Sequence, residues 1–365
     1  MTAVDQTPTK PASPDTEAKS PVLETVPLGT RWPTIDPFLF CVHHDDRYPA
    51  GNEVLAPAVP IDDRDLGQDF SGRDGWSMYH GLLVPGFPQH PHRGFETVTF
   101  VRTGLIDHSD SLGAAARFGR GDVQWLTAGR GIQHAEMFAL LDRDNPNPLE
   151  LFQIWLNLPA ADKMVDPYFT MLWREDLPVV RVTDRAGLAT TITVLAGSLA
   201  GSAVPPPPPD SYAARPDADL AIWHLDLEAG AAWEIPPAAG PETVRVLYVF
   251  EGETLRVTSP AGDGPEVAND TAVVVDSQVP VRLVAGAAPV EILLLQGRPI
   301  GEPVAQYGPF VMNTRAEIEQ AFRDYQASGF GGWPWADEAP NHGPDQGRFA
   351  RHPDGRSEEP PEWRP

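Results

Sequence analysis

Two short stretches decide the fold, Gly86–Phe100 (GFPQHPHRGFETVTF) and Gly121–Met137 (GDVQWLTAGRGIQHAEM). The first carries His90-Pro91-His92 and the second His134-Ala135-Glu136, each a pair two residues apart. Side chains alternate between the faces of a β-strand, so both members of such a pair point the same way. Two such strands lining one interior would bring three imidazoles and one carboxylate to a point. That donor set suits a redox-capable or Lewis-acid ion, most naturally Fe(II). Pro91 cannot donate to a ladder, which places the first pair at the start of a strand or on an edge. Gly129 and Gly131 permit the sharp turn that aims His134 inward.

The segments around these pairs read as β. MYHGLLV (Met78–Val84), FETVTFVRTG (Phe95–Gly104), GLIDHSDS (Gly104–Ser111) and PLELFQIWLNLPA (Pro148–Ala160) are short apolar or β-branched runs separated by Gly, Pro and Asp. Closely spaced strands without long helical periodicity predict an antiparallel sandwich or barrel. The stretch 45–75, rich in Asp, Gly and Pro, reads as an irregular segment laid over the surface. Pro205–Pro209 reads as an extended polyproline spacer. Beyond it the β pattern returns. LYVFEGETLRV (Leu247–Val257) repeats the strand, glycine turn, strand arrangement of VTFVRTGLIDH (Val98–His108), which predicts a second copy of the same architecture. That copy has no H-x-H or H-x-E, and His224 reads as a core or rim residue.

Asn313–Gly331 is the best helical pattern. Asn313 or Thr314 is placed to cap it, Glu317 lies in the first turn, and Ile318, Ala321, Phe322 and Tyr325 recur at helical spacing. Gly329 ends it. The expected organisation is a disordered segment 1–25, a metal-binding barrel 26–172, a metal-free barrel 173–312, a helix 313–330 and an irregular Trp- and Pro-rich tail 331–365. Trp333, Trp335 and Phe349 are candidates to pin that tail to the body, with the last residues loose.

The 365 residues suffice for two cores, and 41% are hydrophobic. The 32 glycines and 41 prolines fit many short strands joined by turns. Against 27 Lys and Arg stand 51 Asp and Glu, for a net charge of −24. Such a surface repels nucleic acid and anionic lipid, which argues against direct binding of either. No apolar run approaches the roughly 20 residues of a membrane span. The first residues lack a secretory apolar region. The single cysteine, Cys41, fits a small buried hydrophobe and a reducing, cytoplasmic setting.

The two histidine stretches, in this order, resemble the cupin double motif. Together with YGPFVMNT (Tyr307–Thr314) they resemble the pirin family of bicupins over about residues 30–330. The resemblance implies an all-β fold of two tandem cupin-type barrels, the first holding one Fe ion, with Mn, Ni or Cu as other candidates. Carried over by motif, the ligands are His90, His92, His134 and Glu136. It also implies a metal-free second barrel, as the missing motifs there suggest. A monomer is expected. The chain departs from the family at CVHHDD (Cys41–Asp46), where an acidic and aromatic stretch is common. His43 and His44 there are within possible reach of the site but read more simply as exposed loop residues.

Glu96 follows the first pair, and ordinary cupins use a glutamate there as a ligand. By simple parity it faces the same side as His90 and His92, whereas a bulge at Arg93-Gly94 would reverse that. In pirins the carboxylate comes from H-x-E, which favours Glu136 and leaves Glu96 a supporting residue. His108-Ser109-Asp110 is a rival H-x-D motif that reads more simply as a polar hairpin strand facing solvent. Gln124 and Trp125 are candidates for the cavity wall or the core.

Two functions fit this set, beside the plainer reading of an ion that only staples the barrel. One is a quercetin 2,3-dioxygenase-type enzyme acting on a small aromatic substrate such as a flavonol, with Glu136 as general base. The other is a redox-dependent regulator that binds another protein without catalysis. An open apolar pocket would favour the enzyme.

Overall fold

A computed structural model of the chain describes residues 20–202 and 204–361. The described chain is nearly all β and carries one α-helix. It begins with β1 (Val22–Pro27), β2 (Phe38–Tyr48), β3 (Gly86–His92), β4 (Phe95–Thr103) and β5 (Leu105–Asp110). Next come β6 (Ala115–Gly119), β7 (Asp122–Thr127), β8 (Ile132–Met137), β9 (Asn147–Asn157) and β10 (Tyr168–Leu172). The second half runs through β11 (Val179–Thr183), β12 (Ala189–Ala196), β13 (Ala221–Leu227), β14 (Ala232–Ile235) and β15 (Val244–Glu251). It continues with β16 (Thr254–Thr258), β17 (Glu266–Ala268), β18 (Thr271–Val275), β19 (Val281–Ala285) and β20 (Val290–Gly297). A small hairpin, β21 (Ala305–Tyr307) and β22 (Phe310–Met312), leads into α1 (Arg315–Ser328). The chain returns to the first half as β23 (Phe349–Arg351) and β24 (Ser357–Glu358).

These strands stack as four layers. A six-stranded sheet, β24-β23-β6-β5-β8-β3, faces a five-stranded sheet, β10-β7-β4-β9-β2. The second half pairs a seven-stranded sheet, β1-β18-β15-β20-β13-β12-β11, with a four-stranded one, β14-β19-β16-β17. The five-stranded and seven-stranded sheets are the inner pair and pack back to back. Trp125, Phe152 and Ile154 from the first half share one core with Tyr248, Phe250 and Leu293 from the second. Alternation sets this up: Val98 and Phe100 of β4 enter the shared core, while Thr97 and Thr99 face the first interior.

The sequence expectation of closed barrels is corrected to pairs of facing sheets that share no ladder, within the same two-domain cupin class. The chain crosses between sheets through turns instead of ladders. Gly94, at φ 83°, makes the crossing from β3 to β4, and a Cβ there would lie 2.0 Å from the Val311 carbonyl oxygen. Thr314 caps α1 and forms a capping box with Glu317, while Gly329 closes it at φ 54°.

Both chain ends depart from the expected organisation. Residues 1–19 of the stretch read as disordered lie outside the described residues. Val22–Pro27 is a strand, because Val22 to Pro27 find a ladder on β18 of the second half. The tail is not wholly irregular either. Phe349–Arg351 pairs with β6, and Arg117 donates to the carbonyls of Gly343 and Gln346 at 2.7 Å each. Among the described residues no helix is long and apolar enough to cross a membrane.

Candidate metal centre

β3 and β8 are neighbours in the six-stranded sheet, and their register sets His90 opposite His134. His92 follows on the same face. The three imidazoles converge in the first interior, with ligand-capable atoms within 4.8 Å of one another. Ring centroids are 4.4 Å apart for His90 and His134, 4.8 Å for His90 and His92, and 4.9 Å for His92 and His134. Burial pushes the His90 imidazole down to about 4 and holds His92 and His134 well below the usual histidine range, so all three are neutral at pH 7.

A divalent ion fits this cluster. His134 is fully buried, yet among the described residues neither of its ring nitrogens has a hydrogen-bond partner, and His92 Nδ1 is likewise alone. Buried polar atoms are ordinarily satisfied, and an isolated one is costly. Lone pairs on neutral imidazoles are what a metal requires. His90 Nδ1 sits 2.9 Å from the Pro88 carbonyl, which fixes its proton there and leaves Nε2 as the donor atom.

Glu136 lies two residues beyond His134 on the same strand face, its carboxylate 3.8 Å from His134 Nε2. It is outside the mutual cluster of three. The opposite sheet holds it: Thr99 Oγ1 donates to Oε1 at 3.3 Å and Gln153 Nε2 to Oε2 at 3.2 Å. Burial raises its pKa. Neither Thr99 nor Gln153 was singled out by the sequence reading. Strand parity on β4 and β9, set in register by their pairing, was the available signal.

Glu96 lies elsewhere. The chain changes sheets at Arg93-Gly94, so Glu96 starts a new alternation and points into the core shared by the two halves. It is fully buried and accepts from Thr127 Oγ1 (2.7 Å), Ser211 Oγ (2.9 Å), the Tyr212 backbone N–H (3.0 Å) and Trp125 Nε1 (3.1 Å). Burial pushes its pKa up to about 7 against the pull of these four donors. Glu96 therefore ties the two halves together. Trp125 belongs to the shared core, while Gln124 faces the first interior beside Thr99, its amide without a partner among the described residues.

Two other histidine expectations are corrected. His108 and Asp110 do not face solvent. Both are buried, because β5 lies directly beside β8, and the His108 ring is 5.5 Å from that of His134. The Asp110 carboxylate is engaged in the hairpin turn, accepting from the backbone N–H groups of Leu112 (2.9 Å) and Ala114 (3.0 Å). His43 and His44 are strand residues of β2 rather than exposed loop residues. His43 turns to the shared core, stacked 4.5 Å from Phe152, and His44 to the first interior. His224 meets Glu291 at the seam between the halves (2.7 Å). Cys41 is fully buried, and burial pushes its thiol far up, so it is inert packing.

The centre opens into a cavity of about 960 Å3. Its walls include His90, His92 and Glu136 together with Phe87, Phe138 and Trp155. Phe70 from the irregular stretch closes one side together with Tyr79 from Met78–Val84, a run expected to be a strand that forms none. That stretch is thus a cavity wall and not merely a surface cover. Arg64 anchors it, buried over Trp76 at 3.3 Å and paired with Asp69 at 2.9 Å.

Comparison with known proteins agrees with this geometry. Residues 22–156 match the Pirin family profile and residues 222–331 match the Pirin C-terminal cupin domain. A Pseudomonas aeruginosa protein, whose name carries quercetin 2,3-dioxygenase as a provisional activity, is 38% identical over 246 residues, covering 67% of this chain and 79% of that protein. A pirin-like protein of Caulobacter vibrioides is 36% identical over 285 residues, covering 75% and 90%. The crystal structure of quercetin 2,3-dioxygenase from Acinetobacter baumannii superposes with a TM-score of 0.65 at 25% identity, covering 86% of this chain and 99% of that one. The chain belongs to the pirin family.

Proposed function

We propose that this protein is a metal-dependent oxygenase of the quercetin 2,3-dioxygenase type, with one ion, Fe(II) in first place, held by His90, His92, His134 and Glu136. The observation that carries this reading is a cluster of three neutral imidazoles beside a large aromatic-walled cavity that His90 and His92 line, with ring nitrogens of His92 and His134 left without a partner among the described residues. When bound, the ion supplies Lewis-acid and redox chemistry to a flavonol and O2. The net reaction opens the oxygen heterocycle and releases carbon monoxide.

The protein's own part follows from the side chains. Phe87, Phe138 and Trp155 offer apolar surface to a flat polycyclic substrate and keep bulk water from it. Glu136 is the acceptor for the flavonol 3-hydroxyl proton. Its carboxylate is fixed by Thr99 and Gln153, and burial brings its proton affinity closer to that of a useful base at neutral pH. The relatives' quercetin dioxygenase names support a flavonol as the substrate class.

Oxygen uptake with quercetin by the Fe(II)-loaded protein tests the reading, with metal content measured alongside. The expected result is uptake that depends on quercetin and disappears in His90→Ala. Uptake by the loaded wild type no greater than that of His90→Ala would overturn it.

A further inference from the structure

The wall of the cavity away from the histidine cluster carries a second polar arrangement. On β2 the alternation that sends His43 into the shared core turns His44 and Asp46 toward the cavity. Between them stands the Tyr79 hydroxyl, 2.7 Å from Asp46 Oδ2 and 2.8 Å from His44 Nδ1. Tyr79 reaches this place from a left-handed backbone, φ 55°, that a bulky residue rarely adopts. Two backbone hydrogen bonds with Asp69, 2.8 and 2.9 Å, hold it there. A strained aromatic residue held in a cavity wall is a common mark of a working site.

The proton positions follow from the partners. Asp46 also accepts the Ser77 backbone N–H at 2.9 Å. Burial pushes its pKa up to about 6, against the hydrogen bonds of Tyr79 and Ser77, so at pH 7 it is a carboxylate. Tyr79 must then donate to Asp46, and its oxygen accepts from His44 Nδ1–H. Burial, with His43 nearby, pushes His44 down to about 4, so it carries no second proton. The lone pair is on Nε2, which has no partner among the described residues and is not sealed in the protein. Phe87 links this corner to the metal centre, its ring 6.1 Å from His44 and 6.3 Å from His90.

We propose that His44 Nε2 accepts a hydrogen bond from a phenolic hydroxyl of a flat aromatic substrate that lies along Phe87 with its other end at His90, Tyr79 and Asp46 fixing the imidazole's tautomer. This rests on the reading of the cavity as a flavonol site and names what selects among flavonols.

The test is anaerobic calorimetric titration of the Fe(II)-loaded protein with quercetin and with 3-hydroxyflavone, which lacks the remaining phenolic groups. The wild type is expected to bind quercetin the more tightly. His44→Phe should weaken quercetin about tenfold, the worth of one hydrogen bond, and leave 3-hydroxyflavone and the metal content unchanged. Tyr79→Phe, which keeps the imidazole but frees its tautomer, should show a smaller loss on quercetin alone. Equal quercetin affinity in wild type and His44→Phe overturns the assignment while the flavonol reading stands. Equal loss on both ligands, or loss of metal, makes His44 a packing residue and also overturns it. A wild type that binds neither flavonol removes the flavonol reading and this inference with it.

Discussion

The two halves share an architecture and fill it in opposite ways. Between its two sheets the second half holds Val194, Leu225, Val249, Leu283, Ile292 and Leu294, an aliphatic core that asks nothing of a ligand. The first half has an apolar cluster around Ile106, Phe118 and Leu126, but beside it holds His92, His108, His134, Glu136 and Gln124, several of whose polar atoms have no partner among the described residues. Burying such groups costs free energy that a hydrophobic core does not spend. The first half can carry this cost because the inner sheets share a large apolar core, which anchors its five-stranded sheet from behind. One half is therefore built to hold something and the other to support it.

If that division is right, His134→Leu should have the largest effect and an unusual sign. Metal content, read by elemental analysis, should fall to background. The chelated variant should nonetheless resist urea better than the chelated wild type, by on the order of 1–3 kcal/mol, because two unpartnered buried nitrogens are gone. A variant that keeps its metal, or whose metal-free form is weaker, would break the comparison. The mirror experiment is Leu294→Ala in the second core. A fully buried leucine costs about 2–5 kcal/mol on truncation, and metal stoichiometry should be untouched. Loss of metal in this variant would mean that the two interiors are coupled more tightly than the division allows.

Glu96 probes the seam between the halves. Its folded pKa, about 7, stands above that of a free glutamate, so the fold favours the protonated form. Its contribution is fully present below about pH 4.5 and is lost as pH rises through about 7. Glu96→Gln should remove that slope, worth at most about 3 kcal/mol, from the urea-unfolding profile measured between pH 4.5 and 7.5. An unchanged slope would show that the four donors outweigh burial and hold Glu96 ionised throughout.

Much of this was readable in the residues. The i, i+2 pairs placed three imidazoles on one interior because strand alternation leaves no choice once the strands exist. The capping box at Thr314 and Glu317 and the glycine stop at Gly329 were equally local. What could not be read depended on which strands pair. Glu96 shares simple parity with His90 and His92, and only the sheet change at Gly94 removes it from their face. His44 and Tyr79 are 35 positions apart and meet because Met78–Val84, which reads as a strand, pairs into no sheet and folds across β2 instead. β1 and the tail strands looked irregular because their ladders are supplied by distant partners, β18 and β6.

The smallest effect expected is at the most conspicuous ionic contact between the halves. Arg102 donates to Glu150 Oε1 of the first half at 2.6 Å and to Glu291 Oε2 of the second, and His43 and His224 flank the same two carboxylates at 3.0 and 2.7 Å. The arrangement looks like a clasp, yet Arg102, Glu150 and Glu291 each keep about a fifth of their side-chain surface in water. Charges so placed have given up part of their hydration, and that cost offsets much of their mutual attraction, so their pairing contributes little. Beneath them Trp32 stacks on Tyr248 at 5.1 Å and Phe152 meets Phe250 edge-on at 5.0 Å, apolar contacts that salt does not weaken. Arg102→Met keeps most of the aliphatic stem and should cost no more than about 1 kcal/mol in urea unfolding, with little further change in 0.5 M salt. Phe152→Ala should cost about 3–5 kcal/mol in the same measurement. If the order of these two were reversed, the halves would be held by charge and not by the shared core, and the stable backing assigned to the metal centre would have to be sought elsewhere.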